Sequence, residues 1–68
     1  MVNPKVLETI EINESLWIDI IEVKRKGRII GSTAIMCQGN KFTPTEFYIS
    51  KFDIDPIIKS LKLIREKL

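Results

Sequence analysis

The hydrophobic period of this chain changes once, at Ser50, and that change limits what the chain can fold into. From Val6 to Ile49, β-branched and aromatic residues dominate, broken by short polar clusters. Past Ser50, apolar residues recur three and four apart: Ile57, Ile58, Leu61, Ile64 (or Leu63) and Leu68. A pattern of short strands followed by one period near 3.6 predicts a sheet closed by a single helix.

The polar clusters divide the first part into four strands. Asn13-Glu14, Lys24-Arg25-Lys26-Gly27 and Gln38-Gly39-Asn40 are the turn signals. They predict strands over about 6–12, 16–24, 28–37 and 41–49. Pro44 marks the fourth as an edge strand or a bulge, because proline has no N–H for a ladder. Asp55-Pro56 reads as a helix start, with Asp as N-cap and Pro at the first helical position. The helix is expected from about 53 or 56 to the chain end, with Lys59, Lys62, Arg65 and Lys67 on its polar side. The expected fold is α+β: one four-stranded antiparallel meander followed by a C-terminal amphipathic helix, β-β-β-β-α, in a single domain.

Strand two is unusual. Leu16, Ile18 and Ile20 alternate with Trp17, Asp19, Ile21 and Val23, so both faces are largely apolar. If the even residues face the helix, then Trp17, Ile21 and Val23 lie on a second face that needs its own cover. At 68 residues a domain without disulfides or metals is marginal alone, which favours self-association.

Composition removes several function classes. The chain has one Cys and no His. An internal disulfide, a His-dependent nucleophile system and the usual zinc or haem sites therefore have no residues to build them. Gly27, Gly31 and Gly39 form no phosphate-loop pattern. An enzyme is not expected, no cofactor is implied, and such a small chain promises little volume for a ligand pocket of about 300 Å³ or more. There is no apolar run of about 18 residues and no apolar stretch behind Met1-Val2-Asn3-Pro4-Lys5. The expected location is cytoplasmic or nucleoid-associated, without a membrane partner, and the lone Cys37 suits a reducing compartment.

The net charge is only +2, so any anion-binding surface must be local. Lys24, Arg25, Lys26 and Arg28 place four cations around one tight turn, which is dense enough to contact phosphates. The alternative is an ordinary solvated hairpin. Trp17 and Tyr48 are candidates for stacking unpaired bases beside that turn, or else belong to a core or interface. Phe47, in phase with Ile49, is expected in the core.

Trp17-Ile18-Asp19, then Lys26-Gly27-Arg28-Ile29-Ile30, then Phe47-Tyr48-Ile49-Ser50 leading into a closing helix, resemble one repeat of the Pur-alpha family of single-stranded nucleic-acid binders. The positive coactivator four and Whirly families are similar. The likeness spans Glu8 to Leu68. It implies that two units intertwine, so one repeat per chain implies a homodimer. It further implies that Lys24, Lys26 and Arg28, with Trp17 on the sheet, touch single-stranded DNA or RNA. Ile29 stands where that family often has Phe. The resulting expectation is a homodimeric binder of single-stranded DNA or RNA with little sequence preference, acting in transcription or nucleic-acid metabolism. The rival expectation is a homodimeric protein-interaction module that binds no nucleic acid.

Overall fold

A computed structural model describes residues 5–68. The N-terminal segment read above for a leader falls mostly on residues 1–4, outside the described residues. The chain folds as β1 (Val6–Asn13), β2 (Leu16–Arg25), β3 (Arg28–Gln38), β4 (Thr45–Ile49) and α1 (Lys51–Lys67). The four strands form one antiparallel sheet in the order β1-β2-β3-β4, as the expected meander requires.

Two boundaries differ from the sequence reading by more than one residue. The fourth strand starts at Thr45, not Lys41. Asn40 accepts hydrogen bonds at Oδ1 from the Phe42 and Thr43 amides, at 2.9 and 2.8 Å. That Asx-type turn uses the amides a ladder would need, and Pro44 has none to offer. The helix starts at Lys51, ahead of Asp55-Pro56. Ser50 is its N-cap: its Oγ accepts from the Phe52 amide at 3.2 Å, while Asp53 Oδ2 accepts from the Ser50 amide at 3.2 Å. This capping box outcompetes the later start signal. Pro56 therefore lies inside α1 and leaves the Phe52 carbonyl without its helical N–H.

Register assigns the faces. On one face Trp17 pairs with Cys37, Asp19 with Ile35 and Thr9, and Ile35 with Tyr48. This odd face holds the buried cluster Trp17, Ile21, Ile35 and Cys37. On the opposite, even face, Ile18 pairs with Ile10 and Met36, Ile20 with Ala34, Ala34 with Ile49 and Met36 with Phe47. Ile49 is buried, but Ile10 and Phe47 remain about half exposed. Phe47 is thus not a core residue of the single chain.

The helix does little to cover that even face. None of its residues is buried, and Ile54, Ile58, Leu61 and Ile64 stay substantially exposed. Open crevices separate α1 from the sheet, one of about 350 Å³ lined by Phe47, Ile49, Pro56, Ile57 and Leu61. The chain is correspondingly spread out. Its radius of gyration is 13.9 Å, against about 11 Å for a compact domain of this length. Its accessible surface is 6202 Å², against about 4,400 Å² for a compact monomer of this mass.

Candidate nucleic-acid interface

The β2–β3 turn is built from two residues. Arg25 pairs with Arg28 across the ladder, with Lys26 at φ 52° and Gly27 at φ 78° between them. Positive φ at both central residues is the hairpin turn that follows strand twist. Glycine meets this at no steric cost, whereas lysine costs about 1–2 kcal/mol. Arg25 and Arg28 also face each other directly, and like charges so placed repel. Lys24, Arg25, Lys26 and Arg28 are all exposed. Lys24 Nζ lies 3.5 Å from Glu22 Oε1, which offsets part of the local charge. Just behind the turn the β2–β3 register shifts, with Val23 opposite Gly31 and Lys24 opposite Ile29. This bulge increases local twist at the base of the turn.

The structure does not bring the aromatic candidates to this turn. Trp17 stands eight positions before Arg25 on the same strand, about 26 Å away at strand rise. It is 5% exposed, with Lys41 Nζ 4.1 Å from its ring centroid. Its face is occupied rather than open to a base. Tyr48 shares the odd face, next to Ile35, and is 70% exposed. It too lies well down the sheet from the turn. The basic turn and the aromatics are therefore separate features rather than one compact constellation.

Around Trp17 lies a groove of about 550 Å³, whose walls include Thr9, Asp19, Cys37, Lys41, Phe42 and Glu46. This corrects the expectation that so small a chain has little room for a ligand. Asp19 Oδ1 accepts from Thr9 Oγ1 at 2.6 Å, and Cys37 Sγ lies 3.9 Å from Asp19 Oδ2. Burial pushes the Cys37 thiol above its ordinary pKa, and the negative charges of Asp19 and Glu46 push it the same way; Lys41 opposes them. The sequence reading missed this groove because Asp19, Lys41 and Glu46 belong to three different segments. Only the Trp17–Cys37 register and the turn at Asn40 bring them together.

No helix among the described residues is long and apolar enough to cross a membrane. No protein-family model, curated protein or solved structure matches this chain.

Proposed function

We propose that this chain works as a homodimer that binds single-stranded DNA or RNA with little sequence preference, through phosphate contacts at the β2–β3 turn. The observation that carries this reading is the local cost of the turn. Lysine occupies a left-handed position and two arginines oppose each other, where Asn-Gly between neutral residues would fold better. A cationic cluster kept against its own folding preference makes sense if a polyanion relieves the repulsion. Tyr48, open on the odd face, offers a stacking surface further along the sheet. Trp17, beneath Lys41, is not part of the contact.

The second copy is supported by the surface surplus. About 1,800 Å² more area is accessible than on a compact monomer of equal mass, enough for a permanent interface. The even face and the apolar side of α1 are the surfaces to be covered. A role in transcription or nucleic-acid metabolism, in the cytoplasm or nucleoid, accompanies this reading.

Fluorescence anisotropy with labelled single-stranded oligonucleotides tests it. Replacing Lys24, Arg25, Lys26 and Arg28 together with Ala should abolish binding, and wild-type affinity should fall steeply with salt. The second reading is a homodimeric protein-interaction module, favoured by the burial of Trp17 and the extent of the even face. A stable dimer that binds no oligonucleotide at low salt would select it.

A further inference from the structure

The odd-face groove has a chemistry opposite to that of the turn. Its floor is apolar and aromatic, made by Trp17, Ile21, Ile35 and Cys37. Its charged walls are Asp19 and Glu46, and Glu11 stands opposite Trp17 in the β1–β2 register. A phosphate would meet repulsion here. A cation would meet an indole face and carboxylates on the same side of the sheet.

One cation already sits there. Lys41 Nζ lies 4.1 Å from the Trp17 centroid, delivered by residues 39–44, which form bends rather than strand. This segment is anchored at both ends of its turn. The Gly39 amide donates to the Ser15 carbonyl at 2.9 Å, and Asn40 Oδ1 holds the Phe42 and Thr43 amides. The Lys41 side chain itself is exposed and has no ion-pair partner among the described residues. It is thus held over the ring by the indole and the local field, and can swing into water without disturbing the backbone. Phe42 beside it is 94% exposed. It lines the groove while contributing nothing to the core.

We propose that this groove is a receptor for a guanidinium or alkylammonium group, and that Lys41 is a built-in placeholder which the incoming cation displaces from Trp17. The incoming group stacks on the indole and pairs with Asp19 and Glu46, while its aliphatic stem lies against Phe42 and Ile35. The source is either a small polyamine or an Arg or Lys side chain of a partner protein; each presents a cationic nitrogen head on an aliphatic stem. This assignment does not depend on the nucleic-acid reading. Trp17 lies about 26 Å from Arg25 along β2, and the groove and the turn share no residue.

Trp17 is the chain's single tryptophan, so its emission reports this groove directly. Full-length protein is titrated with agmatine, with spermidine and with a capped Gly-Arg-Gly peptide, each against NaCl of equal ionic strength. The proposal expects a saturable emission change on the order of 1 mM for at least one probe, absent with NaCl. Saturation by the peptide but not by the free amines identifies a protein side chain as the source, and the reverse identifies a polyamine. Lys41→Met removes the competitor and should tighten binding about 3- to 10-fold. Glu46→Gln, at an exposed position, should weaken it without affecting folding, as circular dichroism verifies. An emission change that only follows ionic strength, or equal affinities for wild type and Lys41→Met, overturns the proposal. So does a single-stranded oligonucleotide that displaces Lys41 from Trp17 while the cations do nothing. Failure of the cation titration leaves anisotropy at the β2–β3 turn unaffected, so the two readings fail separately.

Discussion

Thr9 and Asp19 are joined across the β1–β2 ladder by a 2.6 Å hydrogen bond from the Thr9 hydroxyl to Asp19 Oδ1. Asp19 is half-buried above an apolar cluster, so the bond holds a carboxylate where water only partly solvates it. Thr9→Val keeps the side-chain shape and removes the donor. It should destabilise the fold by about 1–2 kcal/mol, read from the urea midpoint.

If the proposed second copy covers the even face, stability depends on concentration. In wild type, the urea midpoint should rise as protein concentration rises, because the partner binds only the folded form. Met36→Asp puts a charge in the middle of that face, between Ile18 and Phe47 in register. It should abolish the proposed dimer in sedimentation equilibrium and destabilise the fold by about 2 kcal/mol or more, read as a lower urea midpoint. An unchanged, concentration-independent midpoint in wild type would show that the single chain suffices.

Lys26 separates folding from binding. Lys26→Asn suits the left-handed backbone better than lysine. It should raise stability by about 0.5–1 kcal/mol while lowering oligonucleotide affinity and flattening its salt dependence. Gly27→Ala, at φ 78°, should cost about 1 kcal/mol with little change in charge-driven binding.

Cys37 sets a pH signature. Burial, then the charges of Asp19 and Glu46, hold its thiol above the ordinary value of 9.0. Because the folded form binds this proton more tightly than the unfolded chain, the associated stability is intact below about pH 9. It is lost as pH rises from there through the folded-state value. Cys37→Ala should remove this alkaline decline, at the expense of a smaller core. Iodoacetamide should modify the native thiol far more slowly than a free cysteine at pH 8.

Much of the architecture was legible because strand pattern and turn chemistry agreed. Lys26-Gly27 sat between two apolar runs, and a hairpin formed there. The errors arose where two local signals competed. Asp55 with Pro56 announced a helix start, but the reciprocal bonds of Ser50 and Asp53 in the capping box set it earlier. Lys41 and Phe42 fit a strand by composition, but Asn40 took up the amides first. The site was less legible. Lys24, Arg25, Lys26 and Arg28 adjoin in sequence and so could be read as a cluster. The groove depends on residues 19, 41 and 46 meeting through register, which composition and spacing alone do not specify.

One residue, Ser50, joins β4 to α1. So short an elbow fixes the direction in which α1 departs, and its rigid capping box leaves no slack for the helix to turn back over the strands it came from. In the proposed homodimer, stoichiometry is therefore written into the length of a joint. Splicing a flexible insert of several residues beside Ser50 would free α1 to swing home, and should shift the proposed pair toward a self-sufficient single chain.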